Sequence, residues 1–432
     1  MSTRTIEPMI GRANRDGATL FRDWFGSLNR AAESQQRAAY VFVMGSLNEI
    51  LKAFDFEVVF PEINSLQTAV RKLAHDYLGE AESFGYSPDI CGYVKADVAV
   101  QLNRGRHPMG RIPKPAIAVL TNACNTYIKW AEIWQRMHGM PVVTIDVPGT
   151  RGSAELNGGD KRDFANDRRY VAAQIRELIT TCEEITGQRF DIDKLRETLT
   201  HANVLSRAWR DLIALNKSHP AVFNALTDGT VFLGVANGFR GTAAGAQYFT
   251  DALEEFQYKA AHGIGTLAEE HHRLVFVGVP CYPIFRRFNE MFAERGGVFI
   301  NSTYLYFASG GAHRGFKYDL NDPIESLAEG VLTGVRAAMD SMFHQDRMLE
   351  EMLDDYAVDA IIYHPIKSCR TVSTGLADGR AALARRRDVP SLFIESDMMD
   401  RRVVSEAQMK NRIDAFFEGL ASRQQRASAA AR

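Results

Sequence analysis

Three of the five cysteines stand in similar company: Cys91 in SPDICGYVKADV, Cys124 in LTNACNTYIKW and Cys369 in YHPIKSCRTVS. Cys124 and Cys369 each follow a short apolar run, AIAVL and AIIYH, that reads as a strand. Ligand sites in open α/β sheets form beyond the carboxyl ends of strands. Cys91 follows Ser87, Pro88 and Asp89, which read as an N-cap, a first helical residue and a first-turn acid. In that first turn, free N–H groups and the helix dipole favour a thiolate over a thiol. Lys367 and Arg370 flank Cys369, where they would offset negative charge. Three converging thiolates would hold three corners of a [4Fe-4S] cluster and leave its fourth iron open to water or substrate. An open position separates a catalytic metal from a structural one.

The spacing leaves a second reading open, in which the three are unrelated structural thiols, since cysteine is among the most often buried residue types. No C-x-x-C is present, which argues against a zinc ribbon. Cys182, on a polar helix, and Cys281, in GVPCYP, read as structural, although Cys281 as a fourth ligand would close the site. Five cysteines at irregular spacing do not form a secreted disulfide framework.

The elements that must position these thiols follow from periodicity. AAYVFVMGSLNEILKAF and PEINSLQTAVRKLAHDYL carry apolar residues at three- and four-residue steps and read as helices, with FEVVF between them as a short strand. KPAIAVL, NTYIKWAEIWQRMHG and MPVVTIDVP then read as strand, helix and strand, a parallel βαβ unit. From about residue 160 to 218 the chain is charged and helical, and LGVANGFRGTAAGAQYF reads as a loop and a helix start. RLVFVGVP, VFINSTYL, VDAIIYHP and VPSLFIESD are continuous apolar runs, as in strands covered on both faces. The expected fold is α/β: two doubly wound parallel-sheet domains with helical N-terminal and connecting segments. The boundaries are 1–160 for the N-terminal helices and first α/β domain with Cys91 and Cys124, and 161–270 for the mainly helical connection. The second α/β domain with Cys369 covers 271–420, and 421–432 is a disordered tail.

Composition excludes several functions. A net charge of -2 argues against a general nucleic-acid binder. No run approaches the ~18 apolar residues that span a bilayer, and the polar N-terminus lacks a signal-peptide core, so a cytoplasmic protein is expected. There is no G-x-x-x-x-G-K-[ST] phosphate loop. GIGTLA satisfies G-x-G-x-x-A but follows the helical EEFQYKAAH rather than a strand, so it is no nucleotide fingerprint.

DICGYVKADV, TNACNTYIKW, FRGTAAGAQYF, IKSCRTVSTG and LFIESDMMDRRVVSEAQMKNRIDAFFE resemble the 2-hydroxyacyl-CoA dehydratase and benzoyl-CoA reductase family. Within it they are most similar to the B-type core subunits of ATP-dependent benzoyl-CoA reductases. The resemblance runs from about residue 40 to 418. It implies Cys91, Cys124 and Cys369 as the ligands of a [4Fe-4S] cluster with one open iron, and Glu49, in GSLNEILKAF, as a substrate-binding acid. It also implies partners: a homologous second core subunit, an ATPase electron activator with its own bridging [4Fe-4S] cluster, and a ferredoxin-type donor to that activator. The implied activity is one-electron, Birch-like reduction of an aromatic acyl-CoA, benzoyl-CoA above all, to a cyclic dienoyl-CoA. Its rivals are a 2-hydroxyacyl-CoA dehydratase subunit working through a ketyl radical, a non-catalytic electron-relay or interface subunit, and a metal-free α/β protein.

Overall fold

The computed structural model of the chain describes residues 10–149, 161–309, 312, 315–343 and 345–430. Residues 1–9 and 150–160, the two ends of the first expected domain, lie outside the described residues, as do the last two of the tail.

The first unit runs α1 (Arg12–Ser34), β1 (Ala38–Val41), α2 (Asn48–Ala53), β2 (Glu57–Val59), α3 (Pro61–Val70), α4 (Ala74–Phe84) and α5 (Gly92–Leu102). A small antiparallel pair follows, β3 (Arg106–His107) and β4 (Gly110–Arg111), and then β5 (Pro115–Thr121), α6 (Asn125–His138) and β6 (Val142–Ile145). Four helices come next: α7 (Lys161–Thr186), α8 (Ile192–Ala214), α9 (Thr227–Gly238) and α10 (Ala243–Ala261). The second unit begins with β7 (His272–Val277), α11 (Phe285–Ala293), β8 (Gly297–Ser302), α12 (Thr303–Phe307), α13 (Pro323–Phe343) and α14 (Gln345–Tyr356). It ends with β9 (Ala360–Tyr363), α15 (Arg370–Ser373), α16 (Leu376–Arg386), β10 (Ser391–Phe393) and α17 (Glu406–Ala430).

Both main sheets are parallel, in the orders β2-β1-β5-β6 and β10-β9-β7-β8. In each, the chain builds one side first and then crosses back, so the strand order reverses between β1 and β5 and between β7 and β9. Such reversals open a crevice at the carboxyl ends of the strands. The two cysteine-bearing loops lie there, Cys124 after β5 and Cys369 after β9. One hydrophobic core runs through both units, from Ala13 to Leu420, and no described helix is long and apolar enough to cross a membrane.

The local structure corrects several sequence expectations. Ala38–Val41, read as helix, is strand β1, and all its residues are buried. An all-apolar run covered on both faces carries no periodicity to separate strand from helix, and here its β-branched and aromatic residues take the sheet. PEINSLQTAVRKLAHDYL is two helices, broken where Lys72 takes a left-handed φ of 62°. LGVANG belongs to α9 rather than a loop, while Thr242 starts α10 by accepting the Gly245 N–H at 3.1 Å. The final helix runs to Ala430, over most of the segment expected to be a disordered tail.

Asp97 fixes α5 against α6. It is buried, and its Oδ2 accepts the indole N–H of Trp130 at 2.7 Å and of Trp134 at 2.6 Å. Its Oδ1 accepts from Gln101 at 2.9 Å. An Asp97→Ala variant strands both indole donors, each costing about 1–3 kcal/mol. We expect about 3 kcal/mol or more of lost stability. Urea unfolding followed by tryptophan fluorescence checks this, and an unshifted midpoint would contradict it.

Candidate functional site

Each of the three cysteines stands at the cap position of a helix: Cys91 before α5, Cys124 before α6 and Cys369 before α15. The helix of Cys91 begins at Gly92, later than the Ser87 start expected from sequence. Ser87 instead closes a local turn, accepting the Asp89 N–H at 3.2 Å.

Loops from the two units lock together here. The Gly92 N–H donates to Ser368 Oγ at 3.3 Å, and a Cβ at position 92 would fall 2.7 Å from the Met399 side chain. Only glycine lets the Cys91 loop come this close. Asp397 holds the far side, accepting from the Ser368 N–H at 2.8 Å and the Met399 N–H at 2.8 Å. Thr371 Oγ1 lies 3.5 Å from Cys124 Sγ and donates to Asn125 Oδ1 at 2.9 Å, which ties the Cys369 loop to the Cys124 loop.

The result is one cavity of about 80 Å³, lined by Cys91, Cys124 and Cys369 together with Glu62, Tyr93, Tyr127 and Tyr304. All five cysteines are free thiols; Cys182 and Cys281 are buried and do not line this cavity. Burial pushes the Cys369 thiol up to about 12, and the neighbouring Cys124 and Asp397 add to it. Burial also raises Cys91 well above the ordinary thiol range, with Cys369 and Cys124 raising it further. The Tyr93 and Val94 N–H groups pull the other way, as a helix start should, but desolvation outweighs them. The expectation that the helix start alone favours a Cys91 thiolate is thereby corrected. Lys367 and Arg370, expected to offset the charge of the thiolates, are exposed and do not line the cavity.

Three adjacent thiols that repel one another as thiolates, with no Lys or Arg among the described residues lining their cavity, fit a group that brings positive charge of its own. No His, Cys, Asp or Glu group among the described residues is arranged to hold a single metal ion. A multi-iron cluster takes each thiolate on a different iron, so its ligands stand wider apart than those of one ion. The donor set fits that kind of group.

Glu49 is not brought to the cysteines. It sits in the first turn of α2, 2% exposed, with Oε1 2.7 Å from Arg240 Nε, and Arg240 also donates to the Tyr318 hydroxyl. This buried ion pair ties α2 to the turn after α9.

The carboxylate that does reach the cavity is Glu62, which sequence reasoning passes over. It is 8% exposed, in the first turn of α3. Tyr127 donates to its Oε1 at 2.7 Å and the Val43 N–H to its Oε2 at 2.8 Å. Burial nevertheless raises it to about 7, so it can carry a proton near neutrality. A signal is available: Glu62 lies just past strand β2, on the same side of the sheet as Cys124.

A larger, mainly apolar cavity of about 450 Å³ adjoins the first and shares Val43, Ile63, Leu66 and Tyr304 with it. Its volume lies within the roughly 300–1,000 Å³ of small-molecule sites. Arg22 and Arg71 also line it.

Comparisons with known proteins show which family the chain resembles. Residues 45–420 match the family model described as 2-hydroxyglutaryl-CoA dehydratase, D-component. The B-type subunit of benzoyl-CoA reductase from Thauera aromatica is 31% identical over 94% of this chain and 94% of its own. The (R)-phenyllactyl-CoA dehydratase alpha subunit of Clostridium sporogenes is 26% identical over 87% of this chain and 88% of its own. The (R)-2-hydroxyisocaproyl-CoA dehydratase alpha subunit of Clostridioides difficile is likewise 26% identical over 87% of this chain and 88% of its own. With a match of this extent, the chain is a reductase- or dehydratase-type subunit and belongs to the 2-hydroxyglutaryl-CoA dehydratase D-component family.

Proposed function

We propose that the chain is a core subunit of an ATP-dependent aromatic acyl-CoA reductase, acting on benzoyl-CoA or a close analogue. The observation that carries this reading is the meeting of three helix-capping thiols with a protonatable carboxylate beside an apolar cavity. Cys91, Cys124 and Cys369 would hold a [4Fe-4S] cluster, with no fourth thiol among the described residues lining the cavity. Such a cluster supplies single electrons, at potentials down to about −700 mV.

The protein's own part is to bind, exclude water and deliver protons. Val43, Ile63, Leu66 and Phe285 give an acyl ring an apolar seat, and Arg22 and Arg71 offer cations to the phosphates of the coenzyme. A ring that has accepted an electron must be protonated before the electron returns. Glu62 holds a proton at its carboxyl oxygen beside the thiols, and the Tyr127 hydroxyl bond keeps that carboxyl in place. Sequence similarity to the B-type benzoyl-CoA reductase subunit of Thauera aromatica favours the reductase. A homologous core subunit and an ATP-hydrolysing electron activator, fed by a ferredoxin-type donor, complete the enzyme in this reading.

The dehydratase relatives favour a second reading, in which one recycled electron expels hydroxide from a 2-hydroxyacyl-CoA. Electron counting separates the two. The anaerobic complex, given ATP, a strong reductant and benzoyl-CoA, should consume two electrons per cyclic diene formed. Turnover of a 2-hydroxyacyl-CoA with only catalytic reductant would instead establish the dehydratase.

A further inference from the structure

Ring reduction consumes two protons for every two electrons, and Glu62 can hold one. Its hydrogen-bond partners, the Tyr127 hydroxyl and the Val43 N–H, lead back into the fold rather than to water. A different set of hydroxyls runs outward. Tyr304 lines both the cysteine cavity and the apolar cavity. The Tyr282 hydroxyl donates to the Tyr304 hydroxyl at 2.9 Å. Tyr282 in turn lines a third cavity of about 800 Å³, which also holds Lys72, His75, Arg286, Arg401 and Glu406. That polar, charged space has the character to hold water, whereas the apolar cavity does not. On the inner side, Tyr93 lines the cysteine cavity, and its buried hydroxyl lies against those of Tyr282 and Tyr304.

Resting on the reductase reading above, we propose that Tyr282 and Tyr304 form a proton relay from the polar cavity to the substrate, supplying the proton that Glu62 does not. The Tyr304 O–H bond breaks as its proton passes to the reduced ring. The Tyr282 proton moves across their hydrogen bond to the Tyr304 oxygen, and water in the polar cavity reprotonates Tyr282. The relay ends as it began, with one proton moved inward for the two electrons that the low-potential donor supplies per ring, Glu62 giving the other. Burial raises both phenols far above the physiological range, so each is a neutral O–H between transfers rather than a trapped phenolate. Of the two, Tyr304 is the more acidic, at about 12, and it faces the substrate.

The test uses the complete anaerobic enzyme with benzoyl-CoA, ATP and reductant. Tyr282→Phe removes the outer hydroxyl but keeps the ring that packs between α3 and α11. The expected result is a fall in kcat of about tenfold or more, within the range that acid–base groups contribute. KM should be unchanged and the solvent deuterium isotope effect larger than in the wild type. A structural role would lower stability without enlarging the isotope effect. 3-Fluorotyrosine in place of Tyr304 keeps the hydroxyl and makes it more acidic, so the rate should change with that acidity in a protein that folds normally. Wild-type kcat and isotope effect in Tyr282→Phe, or a rate insensitive to fluorination, would overturn the relay and leave the reductase reading standing. A wild-type complex that does not reduce the ring would overturn both.

Discussion

Glu62→Gln is expected to lower kcat by about 10²–10⁴-fold, the range of a lost general acid. KM should change little, because an amide fills the same space and still meets the Tyr127 hydroxyl, which donates to the carboxyl at 2.7 Å. The effect is large because the cavity holds no other carboxyl among the described residues that line it. The pH dependence follows with a definite sign. Burial raises Glu62 to about 7, so the folded protein keeps this proton where an unfolded chain has released it. Activity that needs the protonated form is full below that value and falls as pH rises through it. Stability follows the same window. From about pH 4.5 to 7 the folded state binds the extra proton, so stability declines as pH rises and levels off above 7. At 1.36 kcal/mol per pH unit, the wild type should lose about 3 kcal/mol relative to Glu62→Gln across that window. Parallel pH–rate profiles and urea titrations measure both. A rate that rises through pH 7, or a stability difference that does not vary with pH, would remove Glu62 from the acid role.

Single replacement of Cys91, Cys124 or Cys369 by Ser is expected to abolish turnover and to strip iron and sulfide from the chain. Loss of a partner one layer out from a metal already costs about 10–100-fold, so loss of a direct ligand should exceed that. Cys182→Ala is the control, since Cys182 is buried on α7 and does not line the cavity. That variant should keep its full iron content and rate. Equal iron in all four variants would mean that the cavity thiols hold nothing.

The parts of this arrangement that are visible in the sequence are those ruled by short-range chemistry. A βαβ pattern with Cys124 at its turn, and a strand ending just before Cys369, place both thiols at carboxyl ends of strands whatever the tertiary detail. Other parts depend on contacts that no local pattern carries. Ala38–Val41 looks helical because a strand covered on both faces shows no alternation. The protonation of Cys91 is misread because the helix start is a local feature, whereas desolvation comes from the opposing loop with Ser368 and Met399. Glu49 is singled out by resemblance, and the fold gives its carboxylate to Arg240, a residue 191 positions away whose approach cannot be read from α2. Glu62 is overlooked for the opposite reason. An acid in the first turn of a helix is so common a helix-dipole partner that only its place just past β2 marks this one as near the thiols.

The most direct measurement is iron-edge anomalous diffraction from the anaerobically prepared wild-type chain, paired with iron and sulfide analysis. About four irons and four sulfides per chain are expected, as in a [4Fe-4S] cluster. The anomalous density should touch the sulfurs of Cys91, Cys124 and Cys369 and no fourth cysteine. Iron absent from that cavity, or bound at other residues while these thiols stay free, would contradict it.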